Sequence, residues 1–331
     1  MTSEGADGDR WPTDLDAVFA GSITCQYASL TRAGLPVTVP TTPYPSGRTI
    51  DVSTGLTYPA KAERARRNPN VALLFADPIG ASSEAYPVVL VQGHAAVRDA
   101  DLQSNTDRYT RVSAQKLPHA TKGQPKLLLK RMVFYYARIW IEVTPLRISW
   151  WPDRDLAGPP QQWHADAAGR PPVSDPPPTG RQPPAWLQAP ADWREVAARA
   201  LHALPLADLT VCDQDGFPLC LPVTAGELLG DDVRLTVGAG APTFSPGPAC
   251  LTVHGHDESF TTQENHTLIG EILIDDDAPR LRVERALADW SLTGSRTQIA
   301  VGFMAKGRRL RPRLKAEAAR RGQRVPRVNL P

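Results

Sequence analysis

Cysteine is scarce. Cys25, Cys212, Cys220 and Cys250 are the 4 in 331 residues, and no two of them are separated by two residues. That excludes a disulfide-stapled secreted scaffold and leaves thiols expected to be reduced and mostly buried. Long apolar runs are missing too. No stretch approaches the roughly 18 to 20 residues that span a bilayer, and the acidic residues 1–9 lack the basic and apolar parts of a signal peptide. A cytoplasmic protein with no membrane segment is the expectation. Charge of one sign is lacking as well. With 37 Lys and Arg against 35 Asp and Glu, a net charge of +2 does not mark nucleic acid or an anionic membrane as the partner of the whole molecule.

Proline is abundant, with 33 residues, and it is concentrated in residues 151–193 as Pro159-Pro160, Pro171-Pro172, Pro176-Pro177-Pro178 and Pro183-Pro184. Proline lacks the ladder donor and fixes its own φ, so this segment is expected to be an extended linker. It divides the chain into a domain over 15–152, a linker over 153–194, a second domain over 195–304 and a basic tail over 305–331.

Before the linker, short β-rich runs alternate with turns. Residues 23–31 and 36–42 predict a hairpin about Arg32-Ala33-Gly34, and 48–53 a third strand. Residues 60–67 have helical composition, with Pro59 at the start and Asn68-Pro69 as a stop. Strands over 70–75 and 87–97 follow, the latter broken by Gly93, which predicts a bulge or barrel corner. A helix-prone stretch to about 129 and a strand over 134–150 complete the half. This is mainly β (α+β), and it suits a small barrel better than a parallel sheet.

After the linker the order partly repeats, with strands over 207–212, 218–223, 233–238, 249–254 and 268–274. Gly216-Phe217-Pro218 stands 182 residues after Gly34-Leu35-Pro36, and Gly270 stands 177 after Gly93. Two tandem copies of one domain are therefore expected.

The chemistry concentrates in Ser53-Thr54-Gly55-Leu56-Thr57-Tyr58-Pro59-Ala60-Lys61. A strand end with small hydroxyl residues leads into a helix whose first turn holds a lysine, an arrangement that suits a mononucleotide phosphate. The competing reading places Lys61 on a solvated cationic face with Arg64, Arg66 and Arg67. The same segment, continued by Arg67-Asn68-Pro69-Asn70-Val71-Ala72-Leu73-Leu74-Phe75, resembles the cofactor-phosphate segment of the pyridoxamine 5'-phosphate oxidase-like, or flavin and deazaflavin oxidoreductase, split β-barrel superfamily. The opening hairpin, the strand with Gly93 and the closing strand with Val143-Thr144-Pro145 extend the resemblance over about residues 15–152.

The resemblance implies an FMN-binding split β-barrel, in two copies of which the second is degenerate. It implies FMN as cofactor, with 8-hydroxy-5-deazaflavin as the alternative. Lys61 would hold the phosphate with Ser53, Thr54 and Thr57 beside it, and the strand bearing Thr38, Val39, Thr41 and Thr42 would run along the ring. The flavin would carry the chemistry, so no protein nucleophile is expected. Pro59-Ala60 stands where the oxidases carry a Ser-Arg pair, so vitamin B6 phosphate is not the expected substrate. In the second half, residues 238–248 are rich in Gly and Pro and hold no lysine, which predicts a lost phosphate site and a second domain that serves as partner wall. The pairing of barrels would then lie within the chain, with a homodimer as the alternative.

Cys250, His254, His256 and His266 are the one metal-like grouping. No tight Cys or carboxylate spacing completes it, so no metal is expected and the histidines are expected on a solvent-facing side. The basic run from Lys306 to Arg327 is expected to be a solvated helix and tail. Few aromatics interleave with it, which weighs against nucleic acid as partner. The expected function is a flavin- or deazaflavin-dependent oxidoreductase acting on a small organic substrate. The alternative is a non-catalytic flavin-binding or interaction module of the same fold.

Overall fold

The structure is a computed structural model that describes residues 10–81, 86–118, 126–166, 170–274, 278–288 and 291–330. The acidic start, the end of the loop after Phe75 and the middle of the helix-prone stretch before 129 lie partly or wholly outside the described residues.

The first half is an antiparallel sheet of β1 (Cys25–Leu30), β2 (Pro36–Thr41), β3 (Tyr44–Ser46), β4 (Thr49–Gly55), β5 (Asn70–Phe75), β6 (Val88–Arg98), β7 (Arg138–Trp151) and β8 (Gln161–His164). Its strand order is β2-β1-β5-β6-β7-β4-β3, with β8 paired to β7. The second half is a closed barrel of β9 (Leu206–Cys212), β10 (Pro218–Leu229), β11 (Asp232–Thr236), β12 (Gly247–His256), β13 (Gln263–Ile274) and β14 (Pro279–Ala286). Opened between β10 and β11, that barrel reads β10-β9-β12-β13-β14-β11, which is the order β2-β1-β5-β6-β7-β4 over again.

The repeat extends to register and to bulges. Ala28 faces Thr38, and 182 residues later Thr210 faces Cys220. The β6–β7 ladder shifts register at Gly93 and the β13–β14 ladder at Gly270. A Cβ at Gly93 would lie 2.2 Å from the Thr144 carbonyl oxygen and one at Gly270 1.9 Å from that of Arg282, so only glycine admits these close strand approaches. The halves differ in closure. Thr224 pairs with Thr236 across β10 and β11, whereas β2 and β4, which occupy the same places in the first half, are not hydrogen-bonded neighbours. The first sheet is thus split where the second is zipped.

Side-chain alternation explains how the halves join. Along β5, Val71, Leu73 and Phe75 enter the first core with Phe19, Tyr27 and Val91. Ala72 and Leu74 point the other way, into a second core with Leu209, Leu221 and Leu251. A strand buried on both faces reads as a continuous apolar run, and β5 does. At the joint, Thr38 and Thr210 hydroxyls meet at 2.7 Å, and the Thr38 carbonyl accepts from Thr252 and Thr267. Arg147 on β7 pairs with Asp213 and, at 2.6 Å, with Asp215 in the turn between β9 and β10.

Helix α1 (Asp16–Gly21) packs Phe19 into the first core, α2 (Ala60–Arg67) links β4 to β5, and α3 (Leu102–Lys116) follows β6. Three expectations are corrected. The closing strand begins at Arg138 rather than 134, because Val133–Tyr136 forms a helical turn. The proline-rich segment is not a free linker: β8 lies within it, Asp175 accepts from the Asp99 and Ala100 amides at 2.7 Å, and a helix starts at Trp193. Nor is there a boundary at 304 followed by a solvated tail, since one helix, Arg296–Arg320, runs through it and packs Leu314 and Ala318 into the first core. Its Glu317 is fully buried and accepts from Arg320 and Arg321 at 2.8 Å, while Arg321 also reaches Asp99 on the first half at 2.8 Å. No helix among the described residues is long and apolar enough to cross a membrane.

Candidate functional site

The split between β2 and β4 opens into a cleft with about 1080 Å³ of empty space, its mouth included. Val39, Thr41 and Thr42 line one wall, Ser53, Thr54 and Thr57 the opposite one, and Lys61 the end. Seven of the eight residues expected from the sequence therefore meet in one place. Thr38 does not line it; its side chain faces the second barrel, where it is buried against Thr210. The sequence of β2 cannot show which of its faces meets the other half.

Lys61 is placed by α2, which begins directly after the turn that ends β4. It is the second residue of the helix, so its backbone lies in the first turn, whose amides lack an intrahelical partner. That turn is braced from outside. The Thr57 carbonyl accepts from Trp186 Nε1 at 3.1 Å and from Arg313 Nε at 2.5 Å, which ties it to the proline-rich segment and to the C-terminal helix. Thr54 Oγ1 donates to the Tyr58 carbonyl at 2.7 Å, closing the turn on itself.

The electrostatics of the cleft are one-sided. Arg138, at the start of β7, lies over the Tyr109 ring at 4.1 Å and over the Tyr135 ring at 4.7 Å, and donates to the Tyr109 hydroxyl at 2.8 Å. Its Nε is buried with no partner. Neither Lys61 nor Arg138 has a carboxylate partner among the described residues, and none lines the cleft. Burial, with Arg138 and Arg64 nearby, pushes the Lys61 ammonium down to about 7. Such a group holds its proton only with difficulty until an anion arrives. Arg138 stands at the hydroxyl wall: a Cβ at Gly55 would stand 3.8 Å from Arg138 Nη1 and 3.9 Å from Thr57 Oγ1.

The aromatic lining was not anticipated. Tyr44, Tyr109, Phe134, Tyr135 and Trp186 supply aromatic surface, and Phe260, Gln263 and Asn265 come from the second half. Arg138 left a trace in the sequence as a single cation between Phe134-Tyr135-Tyr136 and an apolar strand. Cys250, His254, His256 and His266 do not converge on a metal site, and they are not solvent-facing. His254 bonds Asp208 at 2.7 Å and His256 bonds Asp77 at 2.9 Å, both inside the joint between the halves, and His266 bonds Glu264. Among the described residues no three metal-ligating side chains cluster.

No family model and no curated protein matches the chain. Solved structures do. General Stress Protein 26 from Bacillus anthracis is 14% identical, with 45% of this chain covering 95% of that one at a TM-score of 0.30. A protein of the pyridoxinephosphate oxidase family from Clostridium acetobutylicum is 13% identical (46% and 93%, TM-score 0.33), and an F420 reductase is 16% identical (42% and 98%, TM-score 0.33). The chain is similar to split β-barrel proteins of this kind over less than half of its length.

Proposed function

We propose that the chain is a flavin- or deazaflavin-dependent oxidoreductase that holds one cofactor in the cleft between β2 and β4. The observation that carries this is the pair Lys61 and Arg138, two half-buried cations with no carboxylate partner among the described residues, at the hydroxyl-lined end of an aromatic-walled cleft. An unpaired buried donor such as Arg138 Nε is costly, and a phosphate oxygen would relieve it. The donor set fits a phosphate-bearing cofactor.

Lys61, Arg138 and the hydroxyls of Ser53 and Thr57 would hold the phosphate. The β2 backbone from Val39 to Thr42 would offer its polar groups to the ring edge, and Phe260 and Asn265 would close the far side. When bound, such a cofactor supplies hydride transfer. The protein contributes binding, orientation and exclusion of water, and Lys61 keeps its proton at Nζ as long as the phosphate faces it. The described lining of this cleft is hydroxyl, aromatic and cationic, which suits chemistry carried by a bound cofactor. It also suits a second reading, a flavin-binding module without turnover. Descent of both halves from one duplicated barrel is part of the proposal, supported by their shared strand order and glycine bulges.

The test is an absorbance spectrum of protein purified from a host that makes both cofactors, with released cofactor identified by mass. Flavin or deazaflavin bands are expected, lost or reduced at least tenfold in Lys61→Ala. A colourless protein that takes up neither cofactor on titration would refute the proposal. Colour without reduction of any acceptor would favour the second reading.

A further inference from the structure

A second cleft of about 970 Å³, mouth included, opens between the halves where β10 and β11 close the second barrel. Its wall holds Thr224, which stands 182 residues after Thr42, and Gly238, which stands 183 after Gly55, so it occupies in the second half the place of the first cleft. Its contents are different. Where the first cleft keeps its phosphate end open, here residues 155–158 pack onto the glycine loop. Gly240 N–H donates to the Leu156 carbonyl at 2.6 Å, and Trp151 Nε1 donates to the Gly240 carbonyl at 3.1 Å.

The charge is reversed as well. Asp77, Asp155 and Asp208 line this cleft, with Arg154 and His254 as the basic groups. Asp77 is committed to His256 and to Thr24 Oγ1. Asp155 Oδ1 accepts from the Ala157 amide, and Arg154 Nη2 donates to the Ala76 carbonyl. Asp208 and His254 are only 2% and 3% exposed. Asp208 Oδ2 lies 2.7 Å from His254 Nε2, which also meets the Gln26 amide at 2.6 Å. The other polar atoms of the pair, Asp208 Oδ1 and His254 Nδ1, have no partner among the described residues. A desolvated carboxylate with an uncommitted oxygen calls for a charged donor, and a phosphate would meet repulsion there.

We propose that this second cleft binds a small protonated amine, whose ammonium donates to Asp208 Oδ1. The site does not depend on whether the first cleft holds a flavin.

Calorimetric titration with butylamine and putrescine, and with 1-butanol as the neutral control, tests it. Saturable binding of an amine but not the alcohol is expected, weakened at least tenfold in Asp208→Asn and unchanged in Lys61→Ala. Because Asp208→Asn disturbs a buried pair, Thr224→Trp provides a second variant. Thr224 is an exposed position at the cleft wall, and tryptophan there should abolish amine binding without touching the pair. Absence of amine binding at millimolar concentration, or binding that survives both substitutions, would overturn the proposal.

Discussion

The two halves share one strand order, and one difference in pairing separates them. In the second half β10 and β11 are hydrogen-bonded from Thr224–Thr236 to Leu229–Asp232, and the barrel is closed. In the first, the corresponding ends carry Thr42 and Ser53, the ladder is missing, and the gap holds an open cleft with Lys61 and Arg138 at its end. A sheet edge left unpaired exposes donors and acceptors that seek a partner. Here the split offers them to whatever fills the cleft. The halves thus differ in that one split is closed and its end is packed by residues 155–158, while the other stays open.

The largest effect should come from disturbing the plug. A Cβ at Gly240 would stand 1.7 Å from the Gly158 carbonyl oxygen, and all three nearest atoms are backbone. Gly240→Val should therefore destabilise the protein by about 1–3 kcal/mol, as overpacking does. Gly34→Ala, in an open hairpin turn with φ of 78°, should cost only about 1 kcal/mol through backbone strain. Equilibrium unfolding in denaturant measures both. Equal stability of Gly240→Val and the wild type would mean that residues 155–158 are not packed against the glycine loop.

Next in size is the pH dependence of the open cleft. Lys61 binds an anion best when protonated, and its free-state value is lowered to about 7. Affinity for FMN should fall as pH rises above 7, approaching tenfold per unit, or about 1.4 kcal/mol. Below about pH 6 the phosphate ester takes up its second proton, so affinity should be greatest between about 6 and 7. Lys61→Arg, which keeps its charge through this range, should flatten the alkaline limb. Fluorescence titrations from pH 6 to 9 decide the matter, and a flat wild-type profile would detach Lys61 from the phosphate.

Much of the open cleft was legible because it is local. The helix over 60–67 carries its own start and stop signals in Pro59 and Asn68-Pro69, and Ser53, Thr54, Thr57 and Lys61 lie within nine residues of one another. What was not legible depends on distant chain. Thr38 sits on the face of β2 that meets Thr210, and no property of residues 36–42 reveals that face. Arg138 reaches the site only because β7 pairs with β4, where Arg138 faces Gly55. The tail was misread for the same reason. Arg313 and Arg321 look like a basic patch until Glu317, Asp99 and the Thr57 carbonyl are brought against them.

The finest test asks whether the second half contributes to the open cleft at all. Phe260 lines it from the turn between β12 and β13, held there by its amide donating to the Asp257 carbonyl at 3.0 Å. Its φ of 52° is left-handed, a conformation that costs a bulky residue on the order of 1 kcal/mol or more and that glycine would adopt freely. The ring packs on His256 at 5.1 Å between centroids, so part of its placement is structural. If the ring also covers a bound cofactor, Phe260→Gly should relieve the backbone and leave thermal stability nearly unchanged, while cofactor affinity falls by about fivefold, or roughly 1 kcal/mol, in keeping with one lost aromatic contact. Lost stability with unchanged affinity would assign Phe260 to the joint alone, and the open cleft would then belong to the first half.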